Sequence, residues 1–124
     1  MNYLDLLRRL HEIVRPAVYL EIGIAQGASL ALSTARTVGI DPAPALRGDI
    51  LAGKPWLKLF GMTSDDFFAT HSAQATLEGL PLELAFIDGL HAFSQVVRDF
   101  QNIERWSQPE TIIVIHDVLP ENVH

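Results

Sequence analysis

Apolar residues recur along the chain in short blocks, and their spacing alternates between that of helices and that of strands. The first block has helical spacing and ends before Pro16, with apolar positions at Tyr3, Leu6, Leu7, Leu10, Ile13 and Val14. Five short apolar runs predict strands at 17–22, 37–40, 56–62, 82–87 and 111–115. Further helices are predicted at 28–36, at 63–70 with Thr63 or Ser64 as N-cap, and from Phe93 towards Trp106. Prolines and glycines make 43–54 a predicted loop with one weak helix at most.

This alternation predicts an α/β fold with a mostly parallel sheet of about five strands and helices on both faces. The strands are apolar throughout, which is typical of a sheet whose two faces are both covered. The 124 residues suit a single domain over 1–124, in which residues 1–16 form a helix packed on the sheet.

Composition narrows the class of protein. The net charge is −6 and the basic residues are scattered, so we expect no nucleic-acid partner. No apolar run approaches the roughly 20 residues that span a bilayer, so no membrane partner is expected. The chain has no cysteine, which excludes disulfides and thiolate sites and agrees with a cytoplasmic location.

Acidic residues follow the predicted strands. Glu21, Asp41 and Asp88 each stand at a strand end, and His116-Asp117 follows the fifth strand. In open α/β sheets the ligand binds at the carboxyl edge, where all these residues would meet. We therefore expect a ligand site there.

The turn after the first strand indicates the kind of ligand. Its spacing is Gly23-x-x-x-Gly27, whereas dinucleotide enzymes have Gly-x-Gly-x-x-Gly. This favours an adenosyl ligand and disfavours a nicotinamide dehydrogenase. Asp41, twenty residues after Glu21, is a candidate acceptor for two ribose hydroxyls. The alternatives are a simple tight turn at the glycines and a turn residue before Pro42.

A divalent cation is a second candidate ligand. Adjacent strands lie about 4.8 Å apart, so Asp88 and Asp117 could share one cation. Oxygen ligands suit Mg²⁺ or Ca²⁺, and a nitrogen ligand from His116 favours a transition metal. Alternatively, Asp88 contacts the cofactor and Asp117 caps the next turn.

Four segments together resemble the class I S-adenosylmethionine-dependent methyltransferases, which have a Rossmann-like fold. The resemblance is closest to the branch with an Ile-Asp-Gly-x-His motif and a later His-Asp, a small-molecule and sugar O-methyltransferase-like group. The matching residues are Glu21-Ile22-Gly23 with Gly27 and Ser29, Gly39-Ile40-Asp41, Phe86-Ile87-Asp88-Gly89-Leu90-His91, and Ile115-His116-Asp117.

The resemblance implies roles for these residues. The cofactor would be S-adenosylmethionine, bound by Glu21, Gly23, Gly27, Ser29, Asp41, Ser64, Asp65 and Asp88. Ser64 and Asp65 would read the adenine, unless they only cap a helix. His91 would be the general base, with Asp88 as a second catalytic residue. The alternatives are a histidine bonded to local backbone at His91 and a solvated strand-end carboxylate at Glu21.

The expected function is O-methylation of a small molecule, with possible metal assistance. In the family that the chain resembles, the sheet has seven strands ordered 3-2-1-4-5-7-6. This chain supplies no counterpart of the last strand pair. The alternative is a catalytically silent Rossmann-like binding or assembly module that keeps the cofactor site. An exposed fifth strand would invite pairing, so we expect a homodimer or another homo-oligomer through that edge.

Overall fold

The structure, a computed structural model, describes residues 2–119, without the side chains of residues 89–91 and 117–119. Four helices are present in that range: α1 Tyr3–Val14, α2 Ser64–Thr70, α3 Ala73–Thr76 and α4 Phe93–Trp106. The strands are β1 Val18–Ile22, β2 Arg36–Ile40, β3 Leu57–Phe60, β4 Leu82–Ala92 and β5 Ser107–Leu119. A 3₁₀ turn, Leu30–Leu32, lies between β1 and β2.

The five strands form one parallel sheet in the order β3-β2-β1-β4-β5. The predicted Rossmann-like α/β class is therefore confirmed. All five residues of the central strand β1 are buried, as expected when helices cover both faces. The register sets Ile22 beside Ile40 and Ile87, and it sets Asp88 beside His116. The predicted polar strand ends thus share one edge.

Two apolar clusters fill the two faces of the sheet. On one face, α2 and α4 contribute Phe67, Val96 and Ile103 against Leu20 and Ile87. The opposite cluster joins Leu7 and the partly buried Tyr3 of α1 to Tyr19, Leu84 and Phe86 on the strands, with Ile24 and Leu30. Helix α1, Tyr3–Val14, thus packs on this face of the sheet.

Helix α1 has clear end signals. Asn2 and Asp5 form a reciprocal capping box at its start, which satisfies two N–H groups that a helix leaves open. Arg15 adopts a left-handed conformation at its end, directly before Pro16. The stop at Pro16 was predicted.

The predicted helix at 28–36 is wrong. Only Leu30–Leu32 is helical, and that turn is 3₁₀. Two serine side chains there bond to other groups: Ser29 donates to Glu21, and Ser33 pairs with Thr37 and accepts from the N–H of Ala35. Such side-chain bonds compete with a helical backbone. Ser33 is already extended and leads into β2.

Several boundaries also differ from the prediction. Strand β3 is shorter than 56–62, whereas β4 and β5 extend beyond 82–87 and 111–115. His91, the candidate general base, lies within β4, before α4. The short helix α3 was not predicted.

Strand β5 lies at one end of the sheet order in the described part of the chain. Pairing of this edge with a second copy stays a prediction. None of the described helices combines the length and apolar character needed to cross a bilayer.

Candidate functional site

A cavity of about 630 Å³ opens at the carboxyl edge of the sheet. Its wall combines the ends of β1, β2 and β4 with the start of α2, and α1, α4 and β5 each add one side chain. The lining residues are Tyr3, Ile22, Gly23, Ala25, Ile40, Asp41, Pro42, Thr63, Ser64, Asp65, Asp88, Gln95 and His116. This is the edge at which a ligand site was predicted, and the volume is in the range of small-molecule sites.

Gly23 lets two backbones approach at the centre of this edge. Its φ is +84°, and its N–H donates to the carbonyl of Ile40 over 2.9 Å. A Cβ at this position would lie 2.5 Å from the carbonyl oxygen of Asp88, too close for any side chain. The glycine therefore brings the end of β4, with Asp88, against the loop that follows β1.

Asp41 fixes the same loop, which we call the glycine loop (residues 23–27). Its Oδ2 accepts hydrogen bonds from the N–H groups of Ile24 over 2.7 Å and of Ala25 over 3.1 Å. Its Oδ1 accepts from the N–H of Ala43 over 2.8 Å. The carboxylate thus joins the end of β2 to the turn after β1.

A covering segment, residues 43–50, packs over the glycine loop. The N–H groups of Ala45 and Arg47 donate to the carbonyls of Ala25 and Gln26 over 3.0 and 2.9 Å. A Cβ on Gly27 would lie 3.0 Å from Ile50 and 3.2 Å from Leu46, both in the covering segment. Gly27 (φ +91°) thus accommodates the covering segment and does not line the cavity.

Glu21 is fully buried, on the face of the sheet that α1 covers. Tyr19 Oη donates to its Oε1 over 2.6 Å, and Ser29 Oγ donates to its Oε2 over 2.9 Å. Burial raises the pKa of Glu21 to about 8, although both hydroxyl bonds act to lower it. The side chain therefore carries a proton at neutral pH and holds the start of the 3₁₀ turn.

His11 of α1 extends the buried polar cluster that Glu21 forms with Tyr19 and Ser29. The His11 ring meets the Tyr19 ring edge-on, with centroids 4.5 Å apart. Burial, together with the charge of Lys54, lowers the pKa of His11 to about 4, so this imidazole is neutral. Burial also lowers the pKa of Lys54, while Asp49 and Glu21 act to raise it. Neither His11 nor Lys54 lines the cavity.

The α2 side of the cavity is held by side-chain bonds to α4. Ser64 Oγ donates to the buried Asp99 Oδ1 over 2.5 Å. Gln95 Nε2 lies 3.0 Å from Asp99 Oδ1 and 3.2 Å from Asp65 Oδ1. Thr63 is the N-cap of α2. Ser64 therefore has a structural bond in addition to its place on the cavity wall.

The β4–β5 side of the cavity brings Asp88 and His116 together. Their Oδ1 and Nδ1 atoms lie 3.6 Å apart, and the Tyr3 ring stacks on the imidazole with centroids at 4.1 Å. Among the side chains that the structure describes, no three His, Asp or Glu groups could together hold a metal ion. The predicted third ligand, Asp117, and the predicted base, His91, have side chains outside the described set.

The predicted site residues divide into two groups. Gly23, Asp41, Ser64, Asp65, Asp88 and His116 line the cavity, whereas Glu21, Gly27 and Ser29 do not. Any effect of the second group on a ligand would be indirect. Sequence reasoning missed Tyr3 and Gln95 on the cavity wall. Both are in first turns of predicted helices, which is the only signal that pointed to them.

The fold and site define a Rossmann-like α/β protein with a small-molecule cavity at the carboxyl edge of its sheet. The chain belongs to a methyltransferase family, because the model of a methyltransferase domain matches residues 20–118, about four fifths of its length. No curated protein matches it significantly. The predicted family is thus confirmed at the level of the methyltransferase domain.

Replacing Gly23 by alanine should destabilise the protein strongly. The new Cβ would meet the Asp88 carbonyl oxygen at 2.5 Å, and a left-handed conformation alone costs about 1–2 kcal/mol with a side chain. We expect a loss of at least that size in the free energy of unfolding, measured by urea titration. Gly61→Ala is the matched control, since no atom lies within 4 Å of its added Cβ. Equal stability of the two variants would contradict the close approach.

The buried Glu21 should make stability fall as pH rises. Its folded pKa of about 8 exceeds the ordinary 4.5, so the folded state binds more protons between these values. The free energy of unfolding should decrease across that window, by about 1.4 kcal/mol per pH unit at most. Glu21→Gln should remove this slope, as measured by urea unfolding at several pH values. Glu12→Gln, at an exposed position, should keep the wild-type slope. An unchanged slope in Glu21→Gln would refute the assignment.

Proposed function

We propose that this protein transfers a methyl group from S-adenosylmethionine to an oxygen atom of a small molecule. The observation that carries the proposal is the single cavity in which Gly23 of the glycine loop, Asp41 and Asp88 meet. The methyltransferase domain that spans most of the chain supports it.

The residues present suit such a cofactor. Asp41 and Asp88 place carboxylates on the cavity wall, and carboxylates favour a positively charged sulfonium. Asp65 also lines the cavity, but it pairs with Arg98 over 3.5 Å. A carboxylate accepts about four hydrogen bonds, and three N–H groups already bond to Asp41. One acceptor position therefore remains for a ribose hydroxyl. Ser64, Asp65 and Gln95 form the wall against which the adenine would lie.

Bound S-adenosylmethionine would supply an activated methyl group. The task of the protein is then to align the acceptor oxygen with that methyl group and to receive the acceptor proton. Asp88 lines the cavity beside Gly23 and is the described group best placed to accept a hydrogen bond from the acceptor hydroxyl. His91 remains our candidate for the general base. The bound cofactor would exchange its methyl–sulfur bond for the new oxygen–methyl bond, and His91, as the base, would take the acceptor proton.

Metal assistance would need a cation held beside the acceptor oxygen. Asp88 and His116 are two adjacent donors, but the described side chains supply no third. Two donors alone do not define a cation site.

Cofactor binding tests the first half of the proposal. Isothermal titration with S-adenosylhomocysteine should show binding with one site per chain, whereas NAD⁺ should not bind, because the loop lacks the dinucleotide spacing. Absence of binding at millimolar S-adenosylhomocysteine would refute the cofactor assignment.

Methyl transfer to a panel of hydroxylated small molecules tests the second half. Asp88→Asn should lower the rate of labelled methyl incorporation by about 10²-fold or more, because the amide lacks the negative charge with which the carboxylate would hold the acceptor hydroxyl for deprotonation. Asp66→Asn removes an exposed carboxylate that does not line the cavity, and it should keep the wild-type rate. If Asp88→Asn matched Asp66→Asn, Asp88 would have no part in the reaction.

A further inference from the structure

The glycine loop uses most of its own backbone donors. The N–H of Gly23 bonds to Ile40, that of Gly27 to Ile24, and those of Ile24 and Ala25 to the Asp41 carboxylate. Four of the five N–H groups of residues 23–27 therefore have partners inside the protein. Because most of its N–H groups already have partners, such a loop contributes to a ligand site mainly through its fixed shape.

Ala25 shows that this shape is imposed from outside the loop. Its φ is +51°, a left-handed conformation that costs a residue with a side chain about 1–2 kcal/mol. Its N–H bonds to Asp41 and its carbonyl accepts from Ala45, so neighbours hold it on both sides. A strained residue keeps its conformation only where the surroundings determine it in this way.

Among these hydrogen bonds, those to Asp41 have a charged acceptor, its carboxylate. Bonds from N–H groups to a carboxylate are roughly twice as strong as bonds between neutral groups. Three such bonds occupy most of its acceptor capacity, which leaves little for a ligand.

We propose that Asp41 is a positioning residue, which contributes to ligand binding mainly by holding the glycine loop in its binding shape and only secondarily by contact with the ribose. The claim about the loop concerns the unliganded protein. The claim about binding rests on the proposed cofactor.

Amide hydrogen exchange of the unliganded protein tests the first claim. Asp41→Ala removes every acceptor, and exchange at Ile24 and Ala25 should accelerate about tenfold or more. Asp41→Asn keeps one carbonyl oxygen that can occupy the Oδ2 position, so it should restore part of the protection. Asp49→Asn is the matched control, because the Asp49 carboxylate accepts from the N–H of Leu51, which lies outside the glycine loop.

Unchanged exchange at Ile24 and Ala25 in both Asp41 variants would overturn the proposal. If Asp41→Ala fails to fold, Asp41→Asn decides the question alone. Faster exchange at these two amides than in Asp49→Asn then supports the claim, and equal exchange refutes it.

Titration with two ligands tests the second claim. S-adenosylhomocysteine is compared with an analogue that lacks both ribose hydroxyls, in the wild type and in Asp41→Asn. If Asp41 acts through the loop shape, Asp41→Asn should weaken the binding of both ligands by a similar factor, about tenfold. The ratio of the two dissociation constants should then stay within about twofold of its wild-type value. Loss confined to the ribose-bearing ligand would show that Asp41 acts by direct contact. If neither ligand binds the wild type, the cofactor proposal fails, while hydrogen exchange still decides the role of Asp41 in the loop.

Discussion

The carboxylate of Asp41 connects the end of β2 to the loop that follows β1, and the site depends on that connection. Parallel strands end at one edge, so a side chain leaving one strand can reach the backbone leaving its neighbour. Here it accepts the N–H groups of Ile24 and Ala25 and thereby fixes a turn that Ala25 would not adopt alone. The covering segment then packs on that fixed turn, and Gly27 leaves it the necessary space. The cavity wall near Gly23 is the result.

A second acid, Glu21, has a different role. Glu21 is buried among Tyr19 and Ser29, and both hydroxyls donate to it. Because burial raises its pKa to about 8, the group is largely uncharged near neutral pH and avoids the large cost of a buried charge. Two acids that resemble each other in the sequence thus have different surroundings. One lines the cavity edge as an acceptor of backbone bonds, and the other belongs to the interior beneath α1.

Where the sequence prediction succeeded, a local pattern was long and strong. The period of α1 and α4 and the apolar runs of the five strands were sufficient for the α/β class. The sequence prediction failed at 28–36, where small residues suggested a helix. There Ser29 bonds to Glu21 and Ser33 bonds to Thr37, and only a 3₁₀ turn forms. The loop predicted at 43–54 is confirmed, since no helix or strand lies there, but its packing on the glycine loop was not predicted. No local pattern reports a contact with a turn twenty residues earlier.

The sequence by itself determined the order of the elements and the row of polar strand ends, because both depend on short-range periodicity and on the parallel connection of strands. Only the tertiary structure decided which of those polar groups reach the cavity. Alternate residues of a strand point to opposite faces, so Glu21 turns to the α1 side with Tyr19. Tyr3, Gln95 and His116 meet the cavity from three separate elements. Their convergence results from packing between distant segments, which a local pattern does not encode.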